Sequence, residues 1–240
     1  MKILWISPYG AGWSIADKLR NFGNKLVYCS DSLNGQGFLP RVPLSEIEAY
    51  VNKADMVVCD DNFESRQTRR SWEPSDQVLQ LNALIRKRGV PYVGPTPTTE
   101  LIENDPRYQR KILARMGLPH GQMSGPVSDI RSALTFDPSG GQGLLVRIRD
   151  DARGNLADLI LRDLPLRARE LQDGLQKLFD FLKGIGYNGY LTANCAISAH
   201  GEARLQQLNT RFVYPAICAQ WMSSLVNDRK DTAVALALTL

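Results

Sequence analysis

The sequence predicts an α/β protein in two parts, a parallel sheet over residues 1–95 and an α+β part over residues 96–240. In the first part, short apolar runs alternate with helical repeats, which is typical of parallel strands joined by helices. Residues 94–97, Gly-Pro-Thr-Pro, then interrupt the pattern. Further on, the apolar runs 190–198 and 203–209 are separated by four residues, as in an antiparallel hairpin.

The spacing of apolar residues places the individual elements. In the first part it predicts strands at 3–7, 25–29, 54–59 and 91–93, and helices at 14–22, 45–52 and 75–88. In the second part it predicts helices at 98–103, 106–116, 170–185 and 215–226, and strands at 144–148, 157–162, 190–198 and 203–209. Ser14 is a candidate N-cap of the first helix, and Ser45 with Glu48 has the spacing of a capping box.

Composition narrows the class of protein. The chain has 240 residues, 43% of them hydrophobic, and a net charge of +4, which favours anionic partners such as phosphorylated metabolites or nucleic acid. No apolar run approaches the roughly 20 residues of a membrane span, and the N-terminus lacks a signal-peptide pattern, so no membrane partner is expected. Four scattered cysteines predict reduced thiols and a cytoplasmic location. The two histidines lack metal-ligand spacing, and the oligomeric state is left open.

Two candidate sites follow predicted strands of the parallel sheet. Gly10, Gly12 and Ser14 lie between the first strand and its helix, where backbone amides could bind a phosphate or simply close a tight turn. Asp60 and Asp61 follow the third strand at its carboxyl end, the edge at which ligands gather in such sheets. They could bind hydroxyls or an amine, or form a solvated turn.

The second part contributes further candidates for substrate binding. Strand alternation predicts that Gln207, Asn209 and Arg211 share one face, with Asn194 on the neighbouring strand, either completing the cluster or serving as a satisfied core amide. Arg211 could instead be a structural partner of a carboxylate. Arg147 and Arg149 also share a strand face and could hold a phosphate or an amino-acid carboxylate.

Residues 204–212, Arg-Leu-Gln-Gln-Leu-Asn-Thr-Arg-Phe, carry a family resemblance. They resemble the strand Glu-Phe-Asn-x-Arg-Phe-Gly-Asp-Pro-Glu of the phosphoribosylamine–glycine ligases, which are ATP-grasp enzymes. Residues 1–13, 54–58, 90–95, 101–103, 113–119 and 189–191 resemble other segments of that family in the same order. The resemblance implies a Rossmann-like pre-ATP-grasp domain at 1–95 and a shortened ATP-grasp-like domain at 96–240.

The chain also departs from the family at the residues that handle ATP. After Glu103 the family carries Gly-Ser-Lys, where this chain has Asn-Asp-Pro, and Arg147 replaces a lysine. Much of the stretch that builds one half of the ATP clamp is missing. Gln207 and Asn194 stand where the family has carboxylates for Mg²⁺, and neutral amides are poor ligands for that ion. We therefore expect no cofactor, neither ATP nor Mg²⁺.

Three functions remain as alternatives. The first is a relative of the glycine-joining ligases that binds an amino acid and a phosphorylated substrate, and transfers the amine to an acceptor already activated by phosphate, free or within a nucleic acid. The second is a non-catalytic module that binds a nucleotide, an anion or a partner protein. The third is a working ATP-dependent carboxylate–amine ligase.

Overall fold

The computed structural model describes residues 1–33, 37, 39–68, 71–118, 120, 127–135, 145–149, 156–160, 174, 177–178, 180–189, 192–198 and 203–211. The first part contains β1 (Lys2–Ile6), α1 (Trp13–Asn21), β2 (Lys25–Cys29), β3 (Arg41–Val42), α2 (Ile47–Val51), β4 (Met56–Cys59), β5 (Arg66–Gln67), β6 (Trp72–Glu73), α3 (Asp76–Arg88) and β7 (Tyr92–Val93). The second contains α4 (Pro97–Asn104), α5 (Pro106–Arg115), β8 (Val127–Thr135), β9 (Leu145–Arg149), β10 (Leu156–Ile160), β11 (Thr192–Ser198) and β12 (Ala203–Asn209). Within these ranges, no helix combines the length and apolarity needed to cross a bilayer.

The first sheet is parallel, as predicted, with the strand order β3-β2-β1-β4-β7. Its strands are apolar on both faces because helices cover both sides. Ile3 and Trp5 pack on the α1 side, whereas Leu4 and Ile6 pack with Val78 of α3 on the other. The chain leaves β1 in one direction for β2 and returns on its other side with β4. The order of strands therefore reverses between β1 and β4, and ligands favour this point in open α/β sheets.

The second sheet is antiparallel and has the order β10-β9-β8-β11-β12. The predicted strands at 144–148, 157–162, 190–198 and 203–209 correspond to β9, β10, β11 and β12. The long central strand β8 and the short β3, β5 and β6 were not predicted. Of the predicted helix at 170–185, residues 174, 177–178 and 180–184 are helical, whereas the predicted helix at 215–226 lies outside the described residues.

Two predicted helix caps are wrong. Helix α1 begins after Gly12 without a side-chain cap, so Ser14 lies in its first turn. Ser45 lies inside a 3-10 turn, Leu44–Glu46, that precedes α2, and neither this turn nor α2 has a side-chain cap. The capping box of this chain is instead Thr96 with Thr99, at the start of α4.

Side chains of α4 and α5 join the two sheets. Gln109 of α5 donates through Nε2 to the Leu208 carbonyl of β12 at 3.3 Å and to the Ile102 carbonyl at 2.8 Å. The Thr210 hydroxyl, just after β12, donates to the Thr99 carbonyl of α4 at 2.9 Å. These buried bonds bring the end of β12 close to the loop after β4. The domain boundary near residue 95 stays a prediction.

Candidate functional site

A polar cluster lies at the reversal point, in the loops that follow β1 and β4. Asp60, Asp61 and Asn62 follow β4 directly, and all three are at least nine-tenths buried. Ser7 begins the loop after β1, and the amide of Asp60 donates to the Ile6 carbonyl at 3.0 Å, so the two loops are neighbours. Asp60 and Asp61 thus lie at the carboxyl edge of the sheet, where the sequence predicted a site.

Asp60 is fully buried. It is 0% exposed, and Oδ2 accepts a hydrogen bond from Nε1 of Trp5 at 2.8 Å. Burial raises its pKa to about 7, although hydrogen bonds from Ser7, Trp5 and the Gly12 amide favour the ionised form. Among the described residues, Oδ1 has no hydrogen-bond partner, and substrate binding by Asp60 stays a prediction.

The glycine-rich turn is shaped around that carboxylate. A Cβ atom on Gly12 would lie 2.0 Å from Oδ2 of Asp60 and 2.8 Å from Nε1 of Trp5, so only glycine fits there. Gly10 has a φ of 72° and donates from its amide to the Ser7 carbonyl at 3.2 Å, which closes the turn. A phosphate at Gly10, Gly12 and Ser14 stays a prediction.

Arg211 is the cation of the cluster, and its side chain is partly exposed. Its Nε donates to Oε1 of Glu103 at 2.5 Å and lies 3.4 Å from Oδ1 of Asp61. The side chain is 33% exposed, whereas those of Glu103 and Asp61 are 7% and 8% exposed. Burial acts to lower the pKa of Arg211, but the two carboxylates outweigh it and the pKa is raised. The Arg211 guanidinium is therefore permanently charged.

Glu103 connects three segments of the chain. While Oε1 binds Arg211, Oε2 accepts hydrogen bonds from Nδ2 of Asn62 at 2.5 Å and from the Thr210 amide at 2.8 Å. The carboxylate thus fixes the loop after β4 and the end of β12 relative to α4. Charge-assisted bonds of this kind are stronger than neutral ones.

Asp61 and Glu100 add two carboxyl groups with perturbed acidity. Burial raises the pKa of Asp61 to about 6, because the Arg211 charge and the Asn62 amide offset it only in part. Burial also raises the pKa of Glu100, one turn before Glu103 on α4. Oε2 of Glu100 accepts from the hydroxyl and amide of Ser75 at 3.1 and 3.3 Å. Burial moves both pKa values toward neutral pH, which is common at ligand sites.

The predicted residues of the second sheet divide into two groups. Asn209 is 3% exposed and lies at the end of β12, next to the cluster, whereas Gln207 is exposed. The sequence predicted that strand alternation would place Arg211 on the same face. β12 ends at Asn209, so the alternation does not reach Arg211. Arg147 and Asn194 lie elsewhere, in a row of paired positions that crosses all five strands: Asp158, Arg147, Ser132, Asn194 and Gln207. Arg149 lies two pairs further along β9, between Ile130 and Leu156.

Sequence reasoning missed Asn62, Glu100 and Glu103 as members of the site. Glu103 was noted only as part of the family resemblance, and Glu100 carried no signal except its spacing of three residues from Glu103 on a predicted helix. Among the residues that the structure describes, no three His, Cys, Asp or Glu side chains are grouped as a metal site.

The fold defines the class: this chain has the α/β fold of ATP-grasp enzymes. Three solved structures illustrate the likeness. They are the phosphoribosylaminoimidazole carboxylase ATPase subunit from Aquifex aeolicus (13% identity, TM-score 0.61, 89% of this chain and 69% of that one), the glycinamide-RNase-transformylase T from Mycobacterium tuberculosis (14%, 0.61, 89% and 72%), and the N5-carboxyaminoimidazole synthetase from Staphylococcus aureus complexed with ADP (12%, 0.60, 88% and 70%).

No protein-family model matches the sequence, and no curated protein matches it either. The structural likeness therefore supports the predicted ATP-grasp scaffold. It does not single out the phosphoribosylamine–glycine ligases among ATP-grasp enzymes.

Proposed function

We propose that this protein binds an amino acid together with a phosphorylated substrate and transfers the amino group to an acceptor that phosphate has already activated. The observation that carries the proposal is Arg211 held between Asp61 and Glu103 at the strand-order reversal. An α-amino acid has one negative and one positive end. A partly exposed guanidinium beside buried carboxylates offers a partner for each end.

The chemistry of such a transfer needs no nucleotide. The amino nitrogen uses its lone pair to form a bond to the activated carbon of the acceptor, and phosphate leaves with the electron pair of the broken C–O bond. The ammonium form of the amine must first lose a proton. Asp61, with a pKa of about 6, lies within reach of the cluster's exposed side and is suited to accept it.

The replacement of metal-binding acids in the second sheet supports a reaction without ATP. Gln207 and Asn194 are paired positions of β12 and β11. Arg147 lies two strands from Asn194 in the same row. In the family that the sequence resembles, this region holds carboxylates and a lysine, and neutral amides would bind Mg²⁺ weakly.

Glycine is our first candidate for the amino acid, because the sequence resembles the ligases that join glycine to phosphoribosylamine. The acceptor is a phosphorylated small molecule or a phosphorylated group within a nucleic acid. The positive net charge of +4 suits either of these acceptors.

The test is to incubate the full chain with labelled glycine and a panel of acyl phosphates and phosphorylated sugars and nucleosides, with and without ATP and Mg²⁺. Label should appear in an adduct without ATP. Arg211→Ala should abolish the adduct, whereas Arg66→Ala, which removes an exposed Arg–Glu73 ion pair outside the cluster, should leave it intact. An absence of adducts from every acceptor would refute the transferase function.

A second candidate is an ATP-dependent carboxylate–amine ligase, since one structurally similar synthetase was solved with ADP. This candidate requires Arg147 to act on phosphate in place of a lysine. Hydrolysis of ATP that depends on Mg²⁺ and is lost in Arg147→Ala would favour it over the first. Binding of phosphate compounds without any turnover would instead favour a non-catalytic module.

A further inference from the structure

The polar cluster carries far more negative than positive charge. Asp61, Glu100 and Glu103 are buried acids, and Arg211 is paired with two of them, Asp61 and Glu103. Tyr9, which is 45% exposed, interacts with this group. Its hydroxyl bonds Glu64, and the charges of Asp61 and Glu100 act on it. A cluster with this charge favours a positive ligand.

Three buried oxygen atoms in the cluster also lack a hydrogen-bond donor. Among the described residues, Oδ1 of Asp60, Oδ1 of Asn62 and Oε1 of Glu100 have no hydrogen-bond partner, and these residues are 0%, 5% and 0% exposed. The other polar atom of each side chain is bound, to Trp5, Glu103 and Ser75 respectively, and a hydrogen bond from Ser65 also acts on Glu100. Each side chain is therefore fixed while one acceptor is left for a further donor. A buried acceptor without a donor costs about 1–3 kcal/mol, and a ligand can supply the missing bond.

We propose that Tyr9, Asp61, Asn62 and Glu100 form an amine subsite that binds the ammonium group of a small organic amine. The proposal deepens the function proposed above and rests on it for the identity of the amine as a substrate. An ammonium group has three donors and a positive charge, which match the orphan oxygens of Asn62 and Glu100 and the carboxylate of Asp61. The exposed ring of Tyr9 supplies an apolar, electron-rich wall on the solvent side.

The subsite also discriminates between the two substrates by charge. A phosphate group has only acceptor oxygens at its surface and a negative charge, so Asp61 and Glu100 repel it. Within the cluster, the partly exposed Arg211 guanidinium is the group suited to the phosphorylated acceptor. We therefore expect the subsite to select a ligand by its ammonium group.

Titration calorimetry on the full chain tests the subsite with three probes: ethylamine, glycine, and glycolate, which replaces the ammonium of glycine with a hydroxyl. We expect ethylamine and glycine to bind and glycolate to bind at least tenfold more weakly. Glu100→Gln should weaken both amines at least tenfold. Glu48→Gln makes the same charge change on the exposed side of α2 and should alter neither.

Tyr9→Ala provides a second variant whose folding is not in question, because the side chain is largely outside the core; it should weaken ethylamine about threefold to tenfold. Glycolate binding as tightly as glycine would overturn the subsite, and so would unchanged amine affinity in both Glu100→Gln and Tyr9→Ala. Amine binding without adducts would keep the subsite and refute the transferase. Adducts unaffected by Glu100→Gln would keep the transferase and refute the subsite.

Discussion

The Nε atom of Arg211 lies 2.5 Å from Oε1 of Glu103, although 108 residues separate them in the chain. Glu103 belongs to α4, and Arg211 follows the last strand of the antiparallel sheet. The same carboxylate binds Asn62 after β4. One carboxylate therefore holds together the parallel sheet, the helical connection and the end of β12, and it sets the positions of Asn62 and Arg211 in the polar cluster.

Loss of this ion pair should lower stability. Arg211→Ala leaves Glu103 and Asp61 as partly buried carboxylates without their cation, and we expect a loss of about 2 kcal/mol in the free energy of unfolding, measured with urea. The pKa of Asp61 should rise further above 6, because the Arg211 charge now lowers it. Adding Glu103→Gln to Arg211→Ala should cost less than the sum of the single changes. If the losses in unfolding free energy of the two single changes simply added in the double variant, Arg211 and Glu103 would not be energetically coupled.

The close approach at Gly12 predicts a severe effect from a single methyl group. Gly12→Ala would place Cβ within 2.0 Å of Oδ2 of Asp60, so we expect a loss of about 1–3 kcal/mol in thermal unfolding experiments. Gly184→Ala is the matched control: it lies in the helical residues 180–184, nothing lies within 4 Å of the added atom, and it should be neutral or slightly stabilising. Equal stability of the two variants would contradict the packing described here.

Asp60 should make stability depend on pH. The folded state binds its proton more tightly, with a pKa of about 7 against 3.8 for the ordinary carboxyl. Stability contributed by this group is therefore lost as pH rises from about 4 to about 7, by as much as about 1.4 kcal/mol per pH unit. Asp60→Asn should reduce this slope, and Glu48→Gln should not. A slope unchanged by Asp60→Asn would mean that Asp60 ionises normally in the fold.

Amine affinity should increase with pH. Asp61 has a pKa of about 6 before a ligand binds, so at pH 5 most of the protein must release a proton to accept an ammonium ion. We expect ethylamine affinity to rise by up to about tenfold per unit from pH 5 to pH 6 and to level off near pH 7. Calorimetry in Asp61→Asn should give a weaker affinity and a flatter profile. An affinity independent of pH in the unmodified chain would exclude Asp61 from the subsite.

Local patterns were sufficient to predict the parallel sheet and part of the site. The apolar runs that became β1, β2 and β4 are buried on both faces, so their sequence signal is continuous and strong. Asp60 and Asp61 could be placed at the sheet edge because they follow a predicted strand directly. Their partners could not be predicted, because they are distant in sequence: Asp60 bonds to Trp5, and Asp61 lies beside Arg211.

The rest of the site depends on contacts that no short window contains. Glu100 and Glu103 resemble any helix carboxylates until α4 is docked against β12 and the loop after β4. Strand β8 was missed because its sequence, Val-Ser-Asp-Ile-Arg-Ser-Ala-Leu-Thr, mixes polar and apolar residues without an apolar run. The predicted caps at Ser14 and Ser45 failed because the preceding turns, at Gly12 and Pro43, begin each helical segment one or two residues earlier.

Residues far along the chain also close the outer strand of the parallel sheet. The Gly94 amide, just after β7, donates to the Asn188 carbonyl at 2.8 Å. Nδ2 of Asn188 in turn donates a hydrogen bond to the Tyr92 carbonyl at 3.1 Å. A fragment ending near residue 95 would expose these backbone groups, and an open strand edge invites association with other chains. Expressed alone, the amino-terminal half should therefore aggregate, and adding the complementary half should restore it to solution.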